Sequence, residues 1–465
     1  MATKHVRRER VIGELEAVNL GDPRRDRRAL AIASRLATQP EASLPVAMGG
    51  DAALEALYRH LASSEVSLEQ VVRPHAERTV ARVKEAGCAY AISDTTGCTF
   101  SGNVRREGLG PVDSAFDQGF RAHVTLAVAT DGSRCPLGLL AVGTRVRVGK
   151  KPKGHNESDR WSQGMDVVEA HFQPRQLIHL ADRESDIFDL IAEATERGWR
   201  FIFRATYDRR LVPDTEGGGV AKLFAAVNEQ APRFRIDVPL SARPRGKRPP
   251  KQIAAFPVRQ GRLAELCFSA MKVKLKRPND MPARGHAEWV EVNVVRAWEP
   301  APPAGEAAVE WLLYTSEPIS TEEEIRAVVE GYRTRWVIEE YFKALKTGCA
   351  FESRQLESAH ALLNLFAYSL IVAYALLLMR TLARAKKDRP ATDVLTPFQL
   401  RCLRLLSRGK LERTPTIRQA LLRTAALGGH IKNNGDPGWR TLSRGWQKLL
   451  AAEEVLQLAQ AAGDL

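Results

Sequence analysis

Apolar positions recur along this chain in two rhythms, and each rhythm predicts its own elements. From residue 88 the segments CAYAISDTT, AHVTLAVAT and PLGLLAVGTRVRV are short, rich in apolar residues and bounded by turn residues, the signature of successive strands. QLIHLAD predicts a fourth strand, SDIFDLIAEATERGW a helix, and RFIFRAT a fifth strand. Three strands in a row, then strand and helix in alternation, predict an α/β fold with a mixed five-stranded sheet flanked by helices.

On either side of this region the rhythm is helical. GDPRR puts Asp22 at a cap and Pro23 at the first helical position, ahead of DRRALAIASRLA, and DAALEALYRHLAS predicts a later helix. AELCFSAMKVKLK, AEWVEVNVVRAW and AVEWLLYTSEP predict strands of a β-rich insertion over about 232–316. ALLNLFAYSLIVAYALLLMR, residues 361–380, is apolar nearly all round and long enough to imitate a membrane span. Asn364 and Ser369 interrupt it and no second such segment exists, so it is expected to be a buried core helix. A basic helical stretch, a Gly-rich break and a last amphipathic helix follow. The expected domains are a helical unit over 1–67, a sheet-based unit over 68–382 containing the insertion, and a helical unit over 383–465.

Charge changes the picture of what such a molecule meets. Lys and Arg total 69 against 55 Asp and Glu, a net +14 over 465 residues, which favours a polyanionic partner such as nucleic acid or an anionic membrane. The basic residues are spread over three regions instead of lining one amphipathic helix, which argues against a membrane surface. The run SARPRGKRPPKQIAAFPVRQGRLA, 241–264, holds seven Lys or Arg and no acidic residue. MATKHVRRERVIGELEA has no apolar stretch behind its charges and does not read as a secretory signal. The six cysteines show no CxxC spacing, as expected of reduced thiols in a cytosolic protein.

Candidate chemistry lies in three places. Asp94 ends the apolar run AYAIS, and Asp182 follows QLIHLA in the same way. In GYRTRWVIEEYFKALKTG, residues 331–348, Tyr332, Arg335, Glu339, Lys343 and Lys346 recur at steps of three or four, which on one helix puts them within an arc of roughly 80°. Val337, Ile338, Tyr341 and Leu345 fall on the opposite side and are expected to face a core. Taken singly, Asp94 could open a turn, Asp182 could solvate a helix entrance, and Glu339 could serve surface i,i+4 pairs. Together, three carboxylates are hard oxygen donors of the kind that hold two Mg²⁺ ions for attack on a phosphodiester. Such chemistry needs no protein nucleophile, and no Ser/His/Asp elbow, Walker loop or His cluster is found.

DTTG at Asp94, LADRESDI at Asp182 and Y-x2-R-x3-E-x6-K at Tyr332, Arg335, Glu339 and Lys346 resemble the three catalytic blocks of DDE transposases of the insertion-sequence-four group, transposon-five type. NLGDPRRDRRALAIASRLA, RWVIEEYFKALKTG, EWLLYTSEPI and LGGHIK…GWRTLSRGW resemble stretches of that family in the same order. The resemblance implies an RNase H-like catalytic core in which Asp94, Asp182 and Glu339 hold two Mg²⁺, with Mn²⁺ as a substitute, while Tyr332, Arg335, Lys343 and Lys346 hold DNA phosphates. It implies that Trp311 stacks on a flipped base, that Arg204 is a further active-site arginine, and that Arg25, Arg28 and Arg59 contact transposon-end DNA. It also implies a homodimer on double-stranded DNA, built through the C-terminal helices around Gly428 and Gly429, and cut-and-paste transposition through a DNA hairpin in the bacterial cytoplasm. The loop VGKKPKGHNESDRW and the run RPRGKRPPK are more basic or longer than the family pattern, and the N-terminal likeness fades before residue 19. Two rivals remain: a stand-alone RNase H-like nuclease, which would cut without joining, and a catalytically silent DNA-binding regulator derived from a transposase.

Overall fold

The computed structural model describes residues 10–102, 105–114, 116–147, 159–212, 221–243, 253–254, 257–279, 285–385, 388–393, 395–431 and 437–462. The basic loop 148–158 and most of the basic run, 244–252, lie outside the described residues. After a short helical stretch at 10–15 come α1 (Pro23–Thr38), α2 (Leu44–Met48), α3 (Asp51–Ala62) and α4 (Leu68–Ala86). Strands β1 (Ala89–Thr99), β2 (Gly119–Ala129) and β3 (Pro136–Arg145) follow, then α5 (Asp159–Glu169), β4 (Leu177–Ala181), α6 (Phe188–Glu196), β5 (Arg200–Arg204) and α7 (Leu223–Asn228). After them come β6 (Phe234–Leu240), β7 (Arg262–Lys276), β8 (Trp289–Trp298) and β9 (Glu310–Thr315). The remainder is helical: α8 (Glu322–Thr334), α9 (Trp336–Lys343), α10 (Ala359–Ala385), α11 (Pro397–Leu406), α12 (Ile417–Leu427) and α13 (Trp439–Ala462).

The chain packs as two compact units, a helical unit of Met1–Gly87, Asp94–His155 and Trp336–Leu465 and a sheet unit of Cys88–Ser93 and Asn156–Arg335. These packing units cut the chain at other points than 67 and 382.

In the sheet unit the strand order is β1-β4-β5-β9-β8-β7-β6. The start of β1 pairs parallel with β4 from Ala89↔Leu177 to Ile92↔Leu180, and β4 pairs parallel with β5. Every residue of β4 is buried, as a strand covered on both faces must be. Phe188, Ile191 and Ala194 of α6 pack with Trp161, Phe201, Phe203 and Tyr314 in one core. The strands of 232–316 belong to this same sheet. β9 pairs antiparallel with β5, at Ile202↔Thr315 to Arg204↔Leu313, and β8, β7 and β6 continue the same sheet outward. Sequence reasoning missed β6, FRIDVPL, whose residues alternate between half-buried and exposed. Pro239 cannot donate to a ladder and is tolerated because β6 is the edge.

In the helical unit the order β3-β2-β1 completes the mixed arrangement, with β2 and β3 antiparallel. The α1 start signal forms as the sequence predicts: Asp22 accepts from the Arg24 N–H and Pro23 is the first helical residue. The apolar helix α10 passes the length and hydropathy test for a membrane span, yet 83% of that window is buried. Around it pack α1, α3, α4 and β3. Its two polar interruptions are satisfied there: the Asn364 amide donates to the Leu61 carbonyl at 2.9 Å and the Ser369 hydroxyl to the Leu365 carbonyl at 3.0 Å. Gly428 and Gly445 let α12 and α13 cross within the chain, since a Cβ on Gly428 would lie 1.8 Å from the Thr441 carbonyl oxygen and one on Gly445 1.7 Å from that of Thr424. All six cysteines are free.

Candidate active site

Two aspartates leave the parallel pair β1 and β4 at equivalent points. The ladder ends at Ile92↔Leu180, and Asp94 and Asp182 each stand two residues beyond its last pair. Contrary to expectation, β1 does not end at Asp94 but runs to Thr99, because β2 goes on pairing with it after β4 has turned away. Asp94 is half-buried, and its Oδ1 accepts from the Thr95 N–H at 2.7 Å. The glycine of DTTG is a packing requirement, since a Cβ on Gly97 would lie 2.6 Å from Val112 Cγ1. Asp182 caps the single 3₁₀ turn Arg183–Ser185 and accepts from the Glu184 N–H at 2.9 Å.

Around Tyr332, the sheet unit gathers Asp182 with a set of cations and aromatics. Tyr332 is 5% exposed, not on an open stripe as expected; its ring meets Trp311 edge-on at 5.5 Å. Burial pushes the Tyr332 hydroxyl above its ordinary value, Arg335 and Arg204 oppose the rise, and Asp182 adds to it. The Arg204 guanidinium lies 6.0 Å from the Trp311 ring centroid and donates to the Glu310 carbonyl at 2.9 Å. Burial holds Arg204 below its ordinary value, Tyr332 opposes this, and the neighbouring Arg183 and Arg335 charges add to it. Three guanidiniums close enough to depress one of their number form a place that an anionic phosphate would stabilise. Sequence reasoning found Arg204, Trp311, Tyr332 and Arg335 but passed over Arg183, which follows Asp182 directly in LADRESDI.

Glu339 lies in the helical unit, half-buried in the first turn of α9. α8 ends at Thr334 with Arg335 in right-handed helical geometry, and after α9 the chain widens into the π-helical segment Ala344–Gly348. The expected core side does form: Val337, Ile338, Tyr341 and Leu345 are all buried. Lys343 pairs with Glu340 at 3.1 Å and lies 5.3 Å from the Trp336 ring centroid. Lys346 donates to the Gly97 carbonyl and pairs with Glu352 at 3.2 Å. In the N-terminal helices Arg25 donates to the Leu20 carbonyl at 2.7 Å, Arg28 is exposed, and Arg59 stands 3.9 Å from Glu55. Burial holds the His60 imidazole down to about 4, with Arg28 and Arg25 adding to the effect.

Asp94 and Glu339 belong to one unit and Asp182 to the other. Among the described residues no three His, Cys, Asp or Glu side chains form a metal-holding group. What fits a divalent cation is the donor set, three carboxylates without a soft ligand among them.

Residues 143–376, half of the chain, match the family described as Transposase DDE domain, and the chain belongs to that family. Residues 8–66 match the family described as Transposase DNA-binding. DDE transposase domains use divalent metal ions. The first match contains Asp182, Arg204, Trp311, Tyr332, Arg335, Glu339, Lys343 and Lys346 and begins after Asp94; the second contains Arg25, Arg28 and Arg59. A solved structure described as the piggyBac transposase synaptic complex with hairpin DNA is similar at 10% identity and a TM-score of 0.35. The likeness covers 77% of this chain and 65% of that one.

Proposed function

We propose that this chain is a cut-and-paste transposase of the insertion-sequence-four group, transposon-five type, that cuts transposon ends, passes through a DNA hairpin and transfers 3′-hydroxyls into target DNA. The observation that carries this reading is the gathering of Asp182 with Arg204, Arg335, Trp311 and Tyr332. A carboxylate beside cations stays ionised, and cations beside an aromatic suit a phosphate next to an unstacked base. In this reading Asp94, Asp182 and Glu339 hold two Mg²⁺ ions, or Mn²⁺ in their place. Metal bound there would lower the pKa of an attacking water or 3′-hydroxyl and stabilise the leaving oxygen. Arg204, Arg335, Lys343 and Lys346 hold phosphates, Tyr332 braces Trp311 from the side, and Trp311 stacks on the base displaced when the strand folds back.

The N-terminal unit, 1–67, grips transposon ends through Arg25, Arg28 and Arg59, and the C-terminal helices, 383–465, join two copies into a homodimer on DNA in the bacterial cytoplasm. The test is to incubate the purified protein with Mg²⁺ and a donor plasmid carrying candidate ends from its flanking DNA. Excised and joined products that vanish in Asp182→Ala are expected. Cutting without joining would favour a stand-alone nuclease, and end binding without cutting in Mg²⁺ or Mn²⁺ a silent regulator.

A further inference from the structure

The turn that carries Asp182 ends on a second carboxylate with no surface to serve. Asp186 is 3% exposed, and both of its oxygens are occupied. Oδ2 accepts from the N–H groups of Thr206 at 2.6 Å and Tyr207 at 2.8 Å. Oδ1 accepts from Arg209 Nε at 2.8 Å and Nη2 at 2.5 Å, and the same Nη2 donates to the Asp186 carbonyl at 2.7 Å. Arg209 is itself 9% exposed, so two guanidinium N–H groups converge on one carboxylate oxygen in a buried setting, as charge-assisted hydrogen bonds that hold the carboxylate in place.

What the pair joins matters more than the pair. Asp186 is four residues after Asp182, and the turn between them is tied by Ser185, whose N–H and hydroxyl both donate to the Asp182 carbonyl, at 3.1 and 2.7 Å. Thr206 and Tyr207 directly follow the β5 end that carries Arg204. The Ala205 N–H donates to the Leu312 carbonyl of β9, next to Trp311, at 2.8 Å. The Tyr314 hydroxyl of β9 is buried near the same pair: burial raises it, Asp186 adds, and Arg209 opposes. One buried carboxylate thus ties the turn that bears Asp182 to the chain after Arg204, and the β5–β9 ladder carries that link on to the strand that bears Trp311.

We propose that Asp186, clamped by Arg209, is a positioning residue of this transposase: it locks the Asp182 turn to the end of β5 so that Asp182 and Arg204 are presented as one rigid piece. The inference rests on the transposase reading for what is positioned, but the lock itself is a property of the chain. Neither residue touches substrate. Asp186→Asn keeps the volume and the oxygen that faces the amides but removes the charge that holds Arg209, and Arg209→Lys keeps the charge but loses the fork.

The test uses the full-length protein and two readouts. Hydrogen exchange is expected to speed up at the amides of Thr206 and Tyr207 in Asp186→Asn, with α10 and the β2–β3 pair unchanged. Single-turnover cleavage of end-bearing duplex is expected to need about tenfold more divalent metal for half-maximal rate, the usual consequence of freeing a ligand from its orienting partner. A merely structural role would lower the melting temperature and slow cleavage alike at every metal concentration, with the half-point unmoved, and that result would overturn the proposal. So would exchange at residues 206 and 207 equal to wild type. Should Asp186→Asn not fold, Arg209→Lys carries the same comparison with a smaller shift. Because the exchange readout needs no cutting, a chain that cuts no DNA would refute the transposase reading while still deciding the lock.

Discussion

The segment that carries Asp182 and the segment that carries Glu339 are held by different forces. Asp182 sits on a turn fixed by buried hydrogen bonds and one buried ion pair, through Ser185, Asp186 and Arg209. Glu339 sits on a short helix fixed mainly by apolar area, with Val337, Ile338, Tyr341 and Phe342 buried and the half-exposed Lys343 paired with Glu340 at its surface. A polar clamp is specific and brittle, because losing one partner leaves the other buried and unpaired. An apolar face spreads its hold over many contacts and gives way by degrees. If both carboxylates serve one reaction, their chemical loss should look alike while the loss of their supports should not.

The largest expected effect addresses that shared chemistry. Glu339→Gln is expected to slow cleavage at least about ten-thousandfold, some 5 kcal/mol of barrier, while binding to end DNA persists. Single-turnover assays beside gel shifts would show it, and full cleavage by this variant would remove Glu339 from the ligand set. Next comes the support of α9. Tyr341 is fully buried and its hydroxyl donates to the Leu370 carbonyl of α10 at 3.0 Å. Tyr341→Ala is expected to cost about 4 kcal/mol, as large aromatic truncations do, read as a shift in denaturant midpoint. A cost below about 1 kcal/mol would mean that α9 is not held by its apolar face.

Acid separates the units again, because the histidines held low are in the helical unit. His60, hydrogen-bonded to the Tyr368 hydroxyl at 2.7 Å, is held down to about 4 by burial, with Arg28 and Arg25 adding. Between its unfolded value near 6.5 and about 4 the unfolded chain takes up a proton that the folded chain refuses, so stability falls as pH falls through that window. The full effect is about 3 kcal/mol. His75 is held low by burial, against the raising influence of Glu14, and acts in the same direction. Glu14 is also lowered, by His75 and Arg82 against its own burial, so its contribution is present above 4.5 and is lost as pH falls through its folded value. Melting temperature should therefore drop from pH 7 to pH 5, and His60→Gln should flatten the drop; an unchanged slope in that variant would acquit His60.

Much of this was legible along the chain wherever one local force decides the outcome. The Asp22 cap with Pro23 is such a place, as are the β1 to β5 strands and the buried face of α9. β6 was missed although FRIDVPL alternates, because the strand is short, has no fully buried residue and carries Pro239, which counts against a paired strand anywhere but at an edge. Nor was the joining of β9 to β5 legible, a pairing across more than a hundred residues that no local pattern encodes. The stripe was drawn on one regular helix, and the π segment that follows Lys343, which no local pattern announced, changes the angular count at Lys346. Asp186 and Arg209 carry no local signal, because only the fold brings 186 against 206–209. Asp94 and Asp182 were identifiable by position after apolar runs, but their equivalent places beyond the β1–β4 ladder appear only in the register.

The smallest expected effect tests where the outer charges of α9 belong. Lys343 keeps 49% of its side chain exposed, and its pair with Glu340 joins neighbours on one short helix. Such a pair contributes little, so Lys343→Ala should change stability by no more than about 0.5 kcal/mol. Glu340 also holds Arg380 of α10 at 2.7 Å, with both side chains mostly buried, and that bond remains in the variant. If Lys343 meets a phosphate instead, the same substitution should weaken end binding for every sequence tried and reduce the salt slope by about 1. A stability loss without a change in salt slope would make Lys343 part of the scaffold and leave the cations around Tyr332 to hold the DNA. A changed salt slope at unchanged stability would show that Lys343 serves the ligand, while the apolar face of α9 and its Glu340–Arg380 bond hold Glu339 in place.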